Sequence, residues 1–377
     1  MKIAYIAAST VPSSTANSLQ VMKVCQALAE NGEKVHLLVP GKGAISWEDL
    51  ARHYGVHEEF PLTTLSSWRP LKRFDFVLSS LLFARRMGAD LVYTRMLWVA
   101  VGAQGMGIPV ILEIHDLPSG RFGPWLFRRY LRSKSRKLTV LITHSLRRLL
   151  GERAGLVFSE QEVIIAPDGV DLERYDALPD PPVARQQLGL TEAKTAVYSG
   201  GFYDGRGLES LLELGMAFPE IQFLWIGGRS EGVEEWKARI RALGLKNVIL
   251  TGFIANEKLP LYQAAADILL MPYGRSISGS SGGNIADVTS PMKMFEYMAS
   301  GRVILTSDIP VLREVLNEKN ACFYSPGDLA DLKAKFSRLM QDPERRRELA
   351  SQAKEEVQLY HWRARMQKII SVFGKTS

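Results

Sequence analysis

Cysteines and long apolar runs are scarce in this sequence. Its 377 residues include two cysteines, Cys25 and Cys322, which lie far apart and lack the spacing of metal ligands. This usage predicts buried thiols in a reducing, cytoplasmic compartment. The longest uncharged stretch, Trp98–Leu112, is broken by glycines and Pro109 and falls short of the roughly 18 apolar residues of a spanning helix. We therefore predict no membrane-spanning segment.

Acidic residues are missing from one long window. The net charge is +7, yet Leu117–Gly151 contains no Asp or Glu, and its basic residues alternate with aromatic and leucine residues at helical spacing. This pattern is typical of a solvated helix face or of a peripheral contact with an anionic membrane, on its inner side. Nucleic acid is not expected, because no recognition motif accompanies the patch. The basic residues are Arg121, Arg128, Arg129, Arg132, Lys134, Arg136, Lys137, Arg147 and Arg148.

Strand-like and helical segments alternate along the chain. At the N-terminus, Ile3–Ala8 predicts a strand rather than a signal peptide, because a helix at Leu19–Glu30 and a strand at Lys34–Val39 follow directly. Such βαβ units build parallel sheets. Further strands are predicted at Leu91–Thr94, Val110–Ile114, Val140–Thr143, Val163–Ala166, Thr195–Ser199, Ile221–Ile226, Val248–Thr251, Ile268–Met271, Val303–Thr306 and Ala321–Tyr324.

The alternation is interrupted at Asp171–Leu190, where three prolines displace the periodicity. We place a linker there, between doubly wound domains at residues 1–175 and 190–355. Ligands of open parallel sheets bind beyond the carboxyl ends of the strands, so the cleft between two such domains is the expected site. A short Gly/Ser-rich loop, Ser276–Asn284, is predicted to be mobile.

One segment combines a helix start with a carboxylate. Pro291 suits a first helical turn, where no backbone N–H is needed, and Ser290 before it is suited to cap the helix. The free N–H groups of such a start attract anions. Glu296, one to two turns further on, accepts hydrogen bonds and so suits a vicinal diol such as a ribose. The alternative is an ordinary amphipathic helix with a solvated Glu296.

A glycine-rich turn follows the predicted strand Thr195–Ser199. Its backbone N–H groups, between Gly200 and Gly207, can approach a phosphate that Arg206 would clamp with two hydrogen bonds. Glycine turns after strands are common. Together with Ser290–Glu296 in the same domain, however, this turn indicates a phosphorylated, hydroxyl-bearing ligand.

With these segments the chain resembles the retaining GT-B glycosyltransferases of family 4 over nearly its whole length. The family's motif order continues through Leu224–Gly228, Thr251–Ile254, Leu259–Tyr262, Ala266–Tyr273 and Ser290–Lys293. The resemblance implies two Rossmann-like domains facing across a cleft, with a C-terminal helix, about 359–377, crossing back to the first domain. It also implies retaining, hexosyl-type transfer from a nucleotide-diphosphate sugar, UDP favoured and GDP open, to a hydroxyl acceptor that is lipid-linked or a cell-surface glycan precursor.

By resemblance the second domain binds the donor. Arg206 matches one of two cations that hold the diphosphate, and Gly201 stands where the first is usual. Glu296 matches the second of two paired glutamates and is expected on the ribose, whereas Val288 replaces the first. The donor-sugar contacts are then expected from Ser290–Lys293. The implied donor set is Gly200, Gly201, Arg206, Gly227, Phe253, Ile254, Ser290, Pro291, Met292, Lys293 and Glu296.

In the first domain, His115 matches a histidine near the donor sugar, where it would hydrogen-bond a hydroxyl or a phosphate oxygen. The alternative is a structural histidine at a strand end. The family's acceptor and phosphate loop maps to Thr10–Gln20, and Arg95 resembles a strand-end arginine facing the cleft, with a salt bridge as an equally good interpretation. Ala166–Asp171 predicts a tight turn. The loop candidates are Ser14, Thr15, Ala16 and Asn17.

The implied mechanism needs no enzymic nucleophile, because the departing phosphate accepts the acceptor's proton. His115, Arg206, Lys293 and Glu296 are the candidate catalytic residues. No metal and no other cofactor is expected, since the family works without one and the chain has no Asp-x-Asp motif. Two other classes remain open: a nucleotide-sugar epimerase of the same fold, which needs a carboxylate pair that is not evident, and a non-catalytic nucleotide-sugar or membrane-binding module.

Overall fold

The computed structural model describes residues 1–67, 74–155, 158–159, 161–278 and 284–376. The chain forms two compact units, Met1–Asp168 together with Trp362–Ser377, and Gly169–His361. Within the described residues no helix is both long and apolar enough to cross a bilayer. Residues 279–283, the centre of the predicted mobile loop, lie outside the described residues.

The first unit is built on a parallel sheet. Its strands are β1 Lys2–Ile6, β2 Lys34–Pro40, β3 Leu62–Leu65, β4 Leu91–Thr94, β5 Val110–Ile114, β6 Lys137–Leu141 and β7 Val163–Ile165. In the part of the chain that the structure describes, their order is β3-β2-β1-β4-β5-β6-β7. The central strands are buried along nearly their whole length and mostly apolar, as expected where helices cover both faces of a sheet, with Thr94 and Glu113 as buried polar exceptions.

Seven helices accompany this sheet within the described residues. They are α1 Ala16–Glu30, α2 Trp47–Tyr54, α3 Phe74–Arg86, α4 Leu97–Gly105, α5 Gly123–Arg132, α6 His144–Ala154 and, from the C-terminus, the helix Trp362–Gly374. α3 and α4 pack closely, since a Cβ at Gly102 would overlap Leu81.

The second unit repeats the plan. Its strands are β8 Thr195–Ser199, β9 Gln222–Ile226, β10 Val248–Gly252, β11 Ile268–Met271, β12 Val303–Ser307 and β13 Cys322–Tyr324, in the order β10-β9-β8-β11-β12-β13 over the described ranges. Along β8, Val197 faces one apolar cluster while Ala196 and Tyr198 face another, so a core lies on each side of the sheet.

The helices of the second unit supply those two cores. They are α7 Pro181–Gln187, α8 Leu208–Ala217, α9 Ser230–Ala242, α10 Leu259–Ala264, α11 Met292–Ala299, α12 Leu329–Gln341 and α13 Pro343–Glu356. Residues of α11 and α13 line one core, and residues of α8, α9 and α12 line the other. The helix Trp362–Gly374 is α14.

The predicted architecture of two doubly wound parallel sheets is confirmed, with local differences. β6 begins at Lys137 rather than Val140, because Lys137 is buried with its ammonium on Ser133 O (2.8 Å) and Glu162 (2.9 Å). β3 was not predicted. It is a short edge strand whose half-buried Leu-Thr-Thr-Leu sequence carries little periodicity.

The chain passes between the units earlier than the sequence suggested. The boundary falls between Asp168 and Gly169, and the segment predicted as a linker, Asp171–Leu190, lies within the second unit. It holds a 3-10 turn, Leu172–Tyr175, and helix α7. Tyr175 is buried in the core of that unit, and Leu172, Leu178 and Leu190 pack against this core, so apolar residues anchor the segment.

Candidate functional site

Two turns at the carboxyl ends of neighbouring strands shape the candidate site of the second unit. The turn Gly200–Gly207 follows β8, and Pro272–Gly274 follows β11 beside it. Gly207 has φ of 80°, and a Cβ there would overlap the carbonyl oxygen of Pro272. The two backbones therefore approach closely only because glycine is present.

Two cations reach this place from different elements. Arg206 Nη1 donates to the hydroxyl of Tyr273 at 3.1 Å. Lys293, near the start of α11, places Nζ 4.0 Å from the ring centroid of Tyr198 and 5.4 Å from that of Tyr273. A Cβ at Gly200 would touch this ammonium, so Lys293 lies directly against the turn. Tyr273 therefore contacts both the Arg206 guanidinium and the Lys293 ammonium.

The Lys293 ammonium is buried in a setting that favours an anion. Nζ has no hydrogen-bond partner among the described residues. Burial, and then the Arg206 guanidinium, hold the pKa of Lys293 well below its ordinary value, while Glu296 acts in the opposite direction. A buried charge without hydrogen bonds is costly unless a partner completes it. Arg206 and Lys293 together define a place for a negatively charged group.

The structure also accounts for Gly201, where a first cation was expected by resemblance. A Cβ at Gly201 would meet the ring of Tyr203, so that ring occupies the space of a side chain there. A second cation is present all the same, because Lys293 reaches the adjacent Gly200 from α11. This long-range substitution could not be predicted from the turn sequence alone.

Glu296 is buried and oriented. The residue is 9% exposed, and Gln263 Nε2 of α10 donates to Glu296 Oε2 at 3.3 Å. Gln263 in turn accepts from the hydroxyl of Tyr175 at 2.9 Å. The next residue of α11, Tyr297, accepts from the backbone N–H of Ser199 at 2.7 Å and so ties the helix to the end of β8. This burial excludes the alternative of a solvated Glu296.

The start of α11 differs from the predicted cap. The first helical residue is Met292, and Pro291 occupies the N-cap position with φ −75° and ψ 119°. Pro291, rather than Ser290 as we expected, is the N-cap residue, and its own side chain makes no capping hydrogen bond. Proline fixes an extended entry into the helix without donating a hydrogen bond.

The other predicted donor residues lie on the neighbouring strand ends. Gly227 follows β9 with φ of 109°, and a Cβ there would overlap the carbonyl oxygen of Gly200, so the two turns pack against each other. Phe253 follows β10 and is exposed, and Ile254 is partly buried. Val288 is buried and apolar, so its side chain offers no hydrogen bond to a sugar.

Glu113 is the centre of a buried polar cluster in the first unit. Oε1 accepts from Gln20 Nε2 at 2.6 Å and from Arg365 Nη2 at 3.1 Å, and Oε2 accepts from the hydroxyl of Tyr93. Burial alone would raise the pKa of Glu113. Arg365 and the hydrogen bond to His115 outweigh this effect and hold the pKa well below its ordinary value. Glu113 is therefore an ionised, fully engaged carboxylate.

Arg365 is a residue that the sequence analysis missed. It lies on α14 and donates to the carbonyls of Ala166 (3.0 Å) and Pro167 (2.6 Å) as well as to Glu113. Its partners are about two hundred residues away in sequence, so no local pattern could have revealed them. Arg365 attaches the C-terminal helix to the end of the first unit.

His115 faces this carboxylate. Nε2 lies 2.5 Å from Glu113 Oε1. Burial, and then the charge of Arg95, lower the pKa of His115 to about 4. A neutral imidazole has one N–H, and the contact with an ionised carboxylate assigns it to Nε2. Nδ1 is then an acceptor, which suits a hydroxyl donor better than a phosphate oxygen.

Thr15 and Ala16 of the predicted acceptor loop form the start of α1. Thr15 Oγ1 caps the helix by accepting from the backbone N–H of Ser18 at 3.3 Å, and Ala16 is the first helical residue. Ser14 and Ala16 are exposed. Thr15 therefore has a structural role that accounts for its presence.

Asn17 and Arg95 are brought together by the fold. Arg95 Nη1 donates to Asn17 Oδ1 at 2.5 Å and to Gln20 Oε1 at 3.4 Å. Asn17 Nδ2 donates to Ser9 Oγ at 2.8 Å, which anchors the loop after β1. The hydrogen bonds of Arg95 thus go to amide oxygens, and its charge is left to act on other groups.

Glu113, His115 and Asp168 have potential metal-ligand atoms within 4.8 Å of one another. However, Glu113 already accepts from several donors, and the adjacent Arg365 guanidinium would repel a metal cation. Burial raises the pKa of Asp168 to about 7, against the effect of Arg365. We interpret the cluster as an ionic network of the first unit.

Two family models match the chain. The model described as Glycosyltransferase Family 4 matches residues 19–174, and a model described as glycosyl transferase-like matches residues 207–371. The chain is a glycosyltransferase of family 4. The family prediction, which rested on motif order, is confirmed.

This glycosyltransferase has curated relatives whose names state different activities. Alpha-galactosylglucosyldiacylglycerol synthase of Streptococcus pneumoniae is 26% identical over 195 residues, which are 48% of this chain and 51% of that protein. The 2-deoxystreptamine glucosyltransferase of Streptomyces kanamyceticus is 25% identical over 286 residues, covering 69% and 70%. The match thus spans about half the length of the first relative.

Solved structures give the fold. Sucrose-phosphate synthase from Thermosynechococcus elongatus superposes with a TM-score of 0.78 at 19% identity, covering 99% of this chain and 98% of that one. Anabaena HepE in complex with UDP and glucose has a TM-score of 0.76 at 18% identity, covering 100% of both. The glycosyltransferase therefore has the GT-B fold, as predicted.

Proposed function

We propose that this glycosyltransferase moves a hexose from a UDP-sugar to a hydroxyl acceptor with retention of anomeric configuration. The observation that carries the proposal is the pair of cations, Arg206 and Lys293, which share Tyr273 beside the glycine turn. A leaving diphosphate is the anion that such a pair would hold, and UDP is favoured because the structure of HepE contains it. GDP-sugars are tested beside UDP-sugars.

In this proposal, α11 binds both the diphosphate and the ribose of the nucleotide. Lys293 and the backbone at its start bind the diphosphate, while Glu296, oriented by Gln263, accepts hydrogen bonds from the ribose hydroxyls. The backbone near Phe253 and Ile254 is assigned to the base. The same helix therefore contacts the ribose and the diphosphate at once.

The proposed chemistry is a front-face substitution at the anomeric carbon. The bond from that carbon to the phosphate oxygen breaks, a new bond to the acceptor oxygen forms, and the acceptor's proton passes to the departing phosphate. Arg206 and Lys293 stabilise the charge that grows on that phosphate, as preorganised donors do in other enzymes. His115 is assigned to a hydroxyl of the sugar through Nδ1, because Nε2 is engaged by Glu113.

The acceptor is proposed to be a hydroxyl borne by a membrane lipid or a glycan precursor. The diacylglycerol in the name of the Streptococcus relative supports a lipid-borne acceptor. Mass spectrometry of products from lipid and glycan acceptor pools, each supplied with UDP-glucose and UDP-galactose, tests this part.

Metal independence is also part of the proposal, and the support for it is that Arg206 and Lys293 supply two cationic side chains at the proposed diphosphate site. Turnover in EDTA is expected to equal turnover with added manganese. Loss of activity in EDTA that manganese restores would overturn this point.

The proposal is tested with a panel of UDP-, GDP- and ADP-sugars by measuring released nucleotide with and without acceptor. Arg206→Gln is expected to lower kcat about 10²–10³-fold, the usual effect of removing one such donor. Arg241→Gln, an exposed arginine of α9, is the control and should leave kcat unchanged. Conversion of the donor sugar without acceptor would identify an epimerase, and binding without turnover a non-catalytic module.

A further inference from the structure

The first unit exposes a group of large apolar side chains on three consecutive helical segments. We call them the aromatic face: Phe74, Leu78 and Leu82 from α3, Trp98 from α4, and Phe122 and Trp125 at the start of α5. Each is between 37% and 56% exposed. Phe74, Leu78 and Leu82 are spaced four residues apart, so they form one stripe along α3.

The members of the aromatic face touch one another. The rings of Phe74 and Trp98 lie 4.9 Å apart in an edge-to-face arrangement, and those of Trp98 and Phe122 lie 6.1 Å apart. Trp125 follows Phe122 by three residues, on the same side of α5. These contacts join three elements into one continuous apolar surface, which is uncommon on a protein that has no partner.

Arginines surround this surface. Arg121 stacks on Phe122 with 5.6 Å from Cζ to the ring centroid, and Arg129 stacks on Trp125 at 5.9 Å. On α5 the exposed residues Pro124, Trp125, Arg128, Arg129 and Arg132 share one face, while Leu126, Phe127 and Tyr130 are buried on the other. α3 adds the exposed Arg85 and Arg86 after its apolar stripe.

The basic residues of Leu117–Gly151 fall into two groups in the structure, those engaged in contacts within the protein and those exposed beside the aromatic face. Arg136 donates to Phe373 O at 2.7 Å and stacks on its ring, and Lys137 is buried against Glu162, so both hold the first unit together. Arg148 pairs with Glu152 on α6. The outward charge beside the apolar surface therefore comes from α5 and its start, together with the two arginines of α3, rather than from the whole window.

We propose that the aromatic face with its arginine rim is a docking surface for an anionic lipid bilayer. Aromatic rings and leucines enter the boundary between headgroups and acyl chains, and guanidinium groups beside them bind phosphate headgroups. The inference deepens the proposed function, since it identifies the surface through which the enzyme meets its membrane. It stands on residues of the first unit alone, apart from the donor site.

Charge favours a bilayer over a second copy of the chain. Two copies meeting through this face would bring their arginine rims together, which is unfavourable in a symmetric dimer. The acidic residue of the described part of α3, Asp75, is half-buried, so α3 offers little to offset that repulsion. An anionic surface complements the whole rim at once.

The test is cosedimentation of the full chain with vesicles of phosphatidylcholine, with or without phosphatidylglycerol. Binding is expected with phosphatidylglycerol, and it should weaken as salt is raised. The variant Arg128→Gln/Arg129→Gln/Arg132→Gln is expected to lower the partition coefficient about fivefold for each arginine removed. Phe122→Ala/Trp125→Ala should lower it at least about tenfold while keeping the salt dependence of what remains.

The matched control carries Leu243→Ala with Arg241→Gln and Lys246→Gln, a similarly exposed leucine and two cations at the end of α9 in the second unit. It should bind vesicles as the wild type does. UDP affinity, measured on every variant, should stay unchanged, so a failure of docking is distinguished from a failure of the donor site. Equal binding of the control and the aromatic variant, no vesicle binding, or concentration-dependent dimerisation abolished by Phe122→Ala/Trp125→Ala would overturn the proposal.

Discussion

At the scale of single residues, Lys293 is the side chain on which the proposed donor site most depends. Its ammonium lies between the ring of Tyr198 and the backbone at Gly200, with burial and Arg206 both lowering its pKa. A diphosphate beside it would favour the charged form and raise that pKa. Binding of UDP should therefore be coupled to protonation.

We expect UDP binding to take up protons at pH values between the pKa of Lys293 in the free protein and its higher pKa in the complex. Calorimetric titrations in buffers of different ionisation enthalpy measure this uptake. Lys293→Met should abolish the uptake and weaken UDP binding, whereas Lys246→Gln should change neither. Uptake that is identical in Lys293→Met would show that another group carries the proton.

Asp168 gives a second prediction at this scale. Burial raises its pKa to about 7, from about 3.9 for an exposed aspartate, so the folded state binds more protons than the unfolded state between these pH values. Its contribution to stability is present at low pH and is lost as the pH rises toward 7. Raising the pKa by about 3 changes the free energy of unfolding by on the order of 4 kcal/mol.

Asp168→Asn removes this dependence. The free energy of unfolding of the variant, relative to wild type, should increase between pH 4 and pH 7.5 in denaturant titrations. Comparing the two proteins at each pH largely cancels the opposing effect of His115, whose lowered pKa makes the fold lose stability as the pH falls below about 6.5. A constant difference across this range would contradict the assigned burial cost.

At the scale of elements, α14 is held by one buried ion pair. Arg365 reaches Glu113 at 3.1 Å and two backbone carbonyls besides. Arg365→Ala leaves an uncompensated buried carboxylate, a change that typically costs about 3–5 kcal/mol. Lys368→Ala, an exposed position on the same helix, should cost less than about 0.5 kcal/mol. Urea unfolding measures both, and equal stability of the two variants would count against the network.

The strands and helices show which parts of the fold could be predicted from the sequence. Alternation of apolar runs located nearly every strand of both sheets, because buried parallel strands need continuous Val, Ile and Leu. The edge strand β3 was missed, since a half-buried strand lacks that signal. The role of Arg365 and the approach of Lys293 to Gly200 depend on contacts between distant segments, which no local pattern records.

The same limit applies to patches of charge. The basic window of the sequence predicted a surface, but burial removes Lys137 from it and an ion pair occupies Arg148. Three-dimensional packing instead adds Phe74 and Trp98 from other helices. Composition therefore indicated the type of surface, and the fold decided its members.

At the scale of the whole molecule, the two family models establish a glycosyltransferase, and the solved structures give its GT-B fold. The proposed donor site lies on one turn and one helix of the second unit, where Tyr273 accepts from Arg206 and Gln263 donates to Glu296. This assignment separates nucleotide binding from membrane docking, since the aromatic face belongs to the first unit.

Thermal unfolding with UDP, GDP and ADP tests the donor site most directly. A nucleotide at about 100 times its Kd stabilises the folded state by about 2.7 kcal/mol, which raises Tm by several degrees. We predict this shift for UDP with the wild type and with Arg241→Gln, and a much smaller shift with Arg206→Gln and Lys293→Met. Equal UDP shifts in all four proteins, or no shift with any of the three nucleotides, would contradict the account.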